Sequence, residues 1–167
     1  MLRRIIFLII ATLLLSQCRT EMLTEDGPAV GEITFDPNID NPDFYLCRPH
    51  RILPYYQVRT AYEGGNRAIK DYMLAHYVCK DSFAEENGFI TIKFVVNCQG
   101  ETDRFRILQI DHNYQEKEFP KALTEQLLNL TKELDRWVPG EKNDQKYDTY
   151  YYLNFKIVNG KIAEILP

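Results

Sequence analysis

The sequence predicts an α+β fold, with two helices packed on one face of a small antiparallel sheet of three to four strands. Three stretches carry that prediction. Residues 89–97 alternate with a period of two, residues 119–137 carry an apolar stripe spaced by three and four, and Val158-Asn159-Gly160-Lys161 is a strong hairpin signal. Short connections between successive elements favour antiparallel neighbours, which leaves the helices to cover one face of the sheet.

The chain opens on Met1-Leu2-Arg3-Arg4, continues through an uncharged, almost wholly apolar run from Ile5 to Leu15, and reaches Ser16-Gln17-Cys18. That order is a basic n-region, a short h-region and a processing site. Eleven residues at ~1.5 Å of helix each reach about 17 Å, whereas a bilayer takes roughly 20 residues. Residues 1–17 are therefore expected to be a cleaved signal. Leu15-Ser16-Gln17-Cys18 resembles the bacterial lipobox, with Gln17 bulkier than the usual Gly or Ala. The resemblance implies that Cys18 becomes the mature N-terminus, carries lipid and holds the chain to a membrane of the cell envelope, facing the periplasm; the alternative is a plain secretory signal.

Behind the signal, about 150 residues remain, enough for one domain and an irregular lead-in. A hydrophobic share of 45% with eleven tyrosines and nine phenylalanines supplies a core. The net charge of −4 and the lack of any basic block in the mature chain exclude generic nucleic-acid binding and point to protein partners. Cys47, Cys79 and Cys98 face a compartment that permits disulfides, so one stays free. A strand over 89–97 holds its ends about 30 Å apart, which disfavours Cys79 with Cys98. Cys47 with Cys98 is the preferred pair.

Residues 18–54 hold Pro28, Pro37, Pro42, Pro49 and Pro54 among many Asp and Asn, without a sustained period. They read as a tether and wrapping arm, in which Ile33-Thr34-Phe35 is either a short edge strand or plain loop. The folded module is expected over 55–167. Gly64 and Gly65 make a turn that opens a helix over 67–78, with Asn66 as its cap and Ile69, Tyr72, Met73 and Tyr77 at helical spacing. Ile90, Ile92, Phe94 and Val96 then share one strand face.

A return strand over 102–110 shows a phase slip: Phe105 and Ile107 share one face, Leu108 and Ile110 the other. A bulge or a second covered face would explain it. Pro120, tolerated in a first turn, starts the best helix, whose stripe runs Phe119, Leu123, Leu127, Leu130, Leu134, Trp137. Trp137-Val138-Pro139-Gly140 ends it. A long strand over 147–157 and a short one over 161–166 flank the Asn159-Gly160 turn.

In order along the chain, Tyr62-Glu63-Gly64-Gly65 with Ala68, Asn87-Gly88-Phe89-Ile90-Thr91-Ile92-Lys93-Phe94-Val95-Val96 with Gly100, and Phe119 and Ala122 ahead of Trp137-Val138-Pro139-Gly140 resemble the TonB C-terminal domain family. The likeness covers about residues 60 to 157. It implies that Gly64, Gly65, Phe94, Phe119, Trp137, Pro139 and Gly140 are structural. It also implies that a short segment of an outer-membrane transporter adds a strand to the sheet edge. Carried onto this sequence, that edge is the strand over 147–157, with Tyr150, Tyr152 and Asn154 as partner-binding residues; the alternative is that they cover the second sheet face. A lipid anchor in place of a permanent membrane helix and long Pro-rich spacer argues against energy transduction.

No catalytic set is legible. Cys47-Arg48-Pro49-His50 is half of a zinc-like spacing without its other half, and no nucleophile elbow, His-Glu-x-x-His or phosphate loop occurs. The sequence thus leads to a non-enzymatic envelope lipoprotein without cofactor or metal, one that binds a protein segment, with self-association as the alternative use of the fold. Labelling with a fatty-acid probe tests the anchor: Cys18→Ser should abolish the label, and unchanged labelling would remove the lipid from the account.

Overall fold

The computed structural model describes residues 32–166; the expected signal 1–17, Cys18 and the start of the arm lie outside them. In chain order the elements are β1 (Leu53–Pro54), α1 (Tyr55–Val58), β2 (Ala61–Tyr62), α2 (Gly65–His76), a single 3-10 turn (Asp81–Phe83), β3 (Gly88–Val96), β4 (Thr102–Ile110), α3 (Lys121–Lys132), β5 (Trp137–Val138), β6 (Gly140–Lys142), β7 (Gln145–Tyr147), β8 (Thr149–Val158) and β9 (Lys161–Leu166).

The main sheet has five strands. Its order is β1-β8-β3-β4, with β9 also paired to β8. β3 runs antiparallel to both neighbours, from Gly88↔Ile157 to Val96↔Thr149 on one side and from Phe89↔Ile110 to Val96↔Thr102 on the other. β1 is parallel to β8, so the sheet is mixed, and β2–β5 and β6–β7 form two further two-stranded ribbons. This corrects the expectation of two helices on a purely antiparallel sheet of three to four strands: the described residues hold three helices, a mixed five-stranded sheet and two ribbons. The reason lies in the arm, which contributes a parallel strand because it is tied down at both ends rather than leaving as a tether.

One face of the sheet builds the core. Ile90, Ile92, Phe94 and Val96 from β3 and Tyr151, Leu153, Phe155 and Ile157 from β8 meet Ile69 and Met73 of α2 and Leu123, Leu127 and Leu130 of α3, all buried in one cluster. The helices form where their apolar stripes were expected, but their bounds differ. Gly64 and Gly65 take φ of 81° and 67° and start α2 without a side-chain cap, so Asn66 is not the capping group. α3 stops at Lys132, and the stripe continues into the core through Leu134 and the β5 residue Trp137.

The phase slip in β4 is not a bulge: the register is regular from Phe89↔Ile110 to Lys93↔Arg106, so Leu108 and Ile110 simply point away from the core, and the strand's bulge lies ahead of that stretch. Lys93 faces Arg106, yet Val95 faces Asp103, and Arg104 takes φ 59°. The Asn159-Gly160 turn has positive φ at both residues, as a type I′ hairpin requires, and Asn143-Asp144 repeats the device between β6 and β7.

The arm is a belt around one end of the sheet. Ile33 is buried, and Arg106 of β4 grips Asp40 with two bonds of 2.8 and 2.7 Å while its Nη2 also donates to Thr34 O at 2.7 Å. Farther on, Asn97 Nδ2 donates to Tyr45 O at 2.9 Å, and a disulfide joins Cys47 to Cys98 across a Cα separation of 6.1 Å. The buried Asp148 carboxylate accepts Arg48 N–H at 2.7 Å and Cys98 N–H at 3.0 Å, while its main-chain oxygen accepts Leu53 N–H at 3.0 Å. Ile33-Thr34-Phe35 forms no strand.

Asp40 has a side chain only 1% exposed, and the hydrogen bond from Arg106, acting against burial, holds its carboxyl below the usual carboxylate range. Its folded pKa thus lies under the unfolded value of about 3.9, so the stability it contributes is present above that value and is lost as pH falls through the folded pKa. Melting scans should show destabilisation below about pH 4 that is shallower in Asp40→Asn, and Arg106→Ala, which strands a buried carboxylate, should cost about 3 kcal/mol in denaturant titration. Unchanged midpoints in both variants would mean the belt contributes nothing.

Candidate functional site: the bare sheet face and its open edge

Alternation along the strands sends every second side chain away from the helices. The registers arrange these outward residues in rows across the sheet. One row is Leu108, Thr91, Asn154 and Leu166, from β4, β3, β8 and β9 in turn. Beside it lies Ile110, Phe89, Lys156 and Glu164; on the other side lie Arg106, Lys93 and Tyr152. The arm covers the row after that, where Ile33 packs near Tyr150.

Of the remaining rows, Arg106 is held by Asp40 and Thr34 of the arm and Phe89 stacks on Tyr114, which leaves the central row the most open among the described residues. Leu108 is 50% and Leu166 49% exposed at the two ends of the central row, a poor use of leucine in a surface that meets only water. Between them the Oδ1 atom of Asn154 is buried without a hydrogen-bond partner.

The expected partner-binding residues are therefore all on the second sheet face, but not in the setting foreseen. β8 is not an edge. β3 pairs along its whole length on one side, while β1 takes Thr149 and Tyr150 and β9 takes Asn154 to Val158 on the other. The short interval between them is flanked by Tyr55, whose ring lies 4.5 Å from that of Tyr151 and 5.7 Å from that of Tyr152. Addition of a guest strand along β8 is thus blocked by the chain's own arm and tail.

Burial, with Glu32 nearby, pushes the Tyr150 phenol up; burial, then Tyr55 and Tyr152, pushes Tyr151 up to about 12. These groups stay protonated and uncharged near neutrality, as packing groups do.

The open edge is β4. On its outer side Gln109 O accepts Lys117 N–H at 3.3 Å, so the main-chain groups of Ile107, two residues on, also face outward. Among the described residues nothing pairs with them. Beside this edge Thr91, Ile107, Leu108, Gln109, Ile110, Glu116, Lys117 and Glu118 line a groove of about 480 Å³. The β4 bulge limits the straight part of the edge to Phe105–Leu108 and so shortens what can pair there.

Trp137 lies within 5.2 Å, ring to ring, of Phe94 and Tyr62 and 4.6 Å from Tyr151, while Phe119 closes the core beside Gly88. Gly140 leaves no room for a Cβ against Val58 and Thr60, and Pro139 sits beside Gly100. Cys79 is the free thiol, and the only His, Cys or carboxylate cluster with metal-like spacing among the described residues is Cys47, Cys98 and Asp148, whose two sulfurs are bonded to each other.

Leu108, Thr91, Ile110 and Leu166 escaped the sequence reading as site residues. The phase slip that put Leu108 and Ile110 on a common face was the available signal. No protein-family model, curated protein or solved structure matches the chain. Function must therefore be argued from this geometry. Because Leu108 and Leu166 lie outside the core, Leu108→Lys and Leu166→Lys should each shift unfolding free energy by under about 0.5 kcal/mol, whereas Phe155→Ala should cost about 3 kcal/mol or more. Equal losses at all three positions, measured in urea, would show the face to be covered.

Proposed function

We propose that this protein is a binding module of the cell envelope, lipid-anchored through Cys18, that receives an extended segment of a partner protein along the β4 edge and the bare face beside it. The observation that carries the reading is the coincidence of outward main-chain groups at Ile107 with exposed Leu108 and an adjoining groove. Strand addition uses those two features together: main-chain bonds supply affinity and alternate side chains supply selectivity. The resemblance to TonB C-terminal domains supports the same mode, with the receiving edge moved from β8 to β4. On that resemblance the partner is a segment of an outer-membrane transporter, and the domain assists transport without driving it.

The belt also restricts where the module works. Residues 32–54 are bound to the sheet, so only the stretch from Cys18 to Glu32 separates lipid from domain. Those fourteen residues span at most about 50 Å when fully extended. The partner segment must then come close to the anchoring membrane.

Amide exchange on the full-length protein in detergent tests the reading, with extended peptides selected from a random library as ligands. A bound peptide should slow exchange at the Ile107 N–H, and Leu108→Lys should weaken binding by about tenfold. Protection confined to other strands, or selection that yields nothing while the protein captures only itself, would overturn strand addition and favour self-association.

A further inference from the structure

The charges around the β4 edge are unevenly satisfied. After Ile110 the chain reverses through Asp111 N–H to Gln115 O at 2.8 Å and returns beside β4, where Glu116 bridges Ile110 and Lys117 pairs with Gln109. It leaves the edge at Glu118, because the next residue, Phe119, is buried and its N–H donates to Gln109 Oε1 at 2.9 Å. A guest lying on Phe105–Leu108 continues the line of this returning segment, and its near end abuts Glu118 and Glu116.

Both glutamates are exposed and neither has an ion pair among the described residues. The cation between them is already engaged. Lys117 Nζ lies 2.7 Å from Glu86, donates to Asn87 O at 3.1 Å and sits 4.3 Å from the Phe119 ring centre. At the other end of the straight edge the charges are already matched: Arg106, which Lys93 faces across the strands, lies among Asp40, Asp36 and Asp103. The arm neutralises Arg106 through Asp40, and Lys93, which has no salt bridge among the described residues, lies one strand inward of the edge.

Resting on the strand-addition reading above, we infer that the segment received here carries a Lys or Arg at the end nearest Ile110 and apolar residues at alternate positions behind it. The apolar residues meet the exposed Leu108, and the cation meets the two free carboxylates. Rim charges of this kind set selectivity and encounter rate more than total affinity, and they fade as salt rises.

The test uses the full-length protein in detergent and three dye-labelled eight-residue peptides of alternating Val and Thr, ending in Lys, Gln or Glu. Binding is followed by anisotropy, with Ile107 amide exchange as the check on where each peptide sits. At low salt the Lys peptide should bind about tenfold tighter than the Glu peptide. That ratio should shrink in 0.5 M NaCl, vanish in E116Q/E118Q and invert in E116K/E118K, with melting curves confirming that both variants are folded. Peptides that protect Ile107 with equal affinity, or with the Glu peptide ahead, would overturn the charge rule and leave strand addition standing. If none of the three protects Ile107, both fall together.

Discussion

The carboxylate of Asp148 holds three pieces of chain at once. Its two oxygens accept the N–H groups of Arg48 in the arm and Cys98 in the β3–β4 turn, and its main-chain oxygen accepts Leu53 at the start of β1. A buried carboxylate is tolerable only when donors surround it, and here the donors are fixed backbone amides. The disulfide between Cys47 and Cys98 fastens the same junction covalently. Because the arm is pinned at this point, β1 is delivered to β8 in parallel, and the edge of β8 closes. The openness of β4 on the opposite side of the sheet then becomes the feature that decides what the domain can bind.

A sheet that closes one edge and leaves another bare needs some defence against indiscriminate pairing. β4 has two such devices. The bulge at Arg104 breaks the straight run, and the loop ending at Glu118 caps the other end. What remains is a short landing strip beside an apolar face. Its length suits a few residues of guest main chain, so recognition must draw on the exposed Leu108 as much as on backbone bonds.

Much of the architecture was legible because it is local. The period-two run in β3, the 3–4 stripe of α3 and the Asn159-Gly160 turn each encode their own conformation within a few residues. The phase slip in β4 marked the outward pair Leu108 and Ile110, while the bulge at Arg104 lies ahead of it and carried no such signal. Ends of elements were less visible: the stripe through Leu134 and Trp137 keeps helical spacing although the helix stops at Lys132, since both helix and following strand turn those residues into the same core. The β6–β7 ribbon lies ahead of the long strand expected over 147–157 and was not foreseen, although Asn143-Asp144 carried its turn signal.

The binding face was only half legible. That Tyr150, Tyr152 and Asn154 share a strand face follows from alternation alone, and so does the pairing of Leu108 with Ile110 on theirs. Which strand lies at the rim does not follow. Edge status depends on contacts between residues far apart in sequence, such as Arg106 with Asp40 and Leu53 with Asp148, and no local period records them. The sequence by itself therefore determined the identity of most elements, the face each presents and the absence of a recognisable catalytic motif. Only the tertiary structure decided that the arm is a belt, that β8 is interior and that β4 stands open, because long-range pairing rather than local conformation settles how strands are ordered.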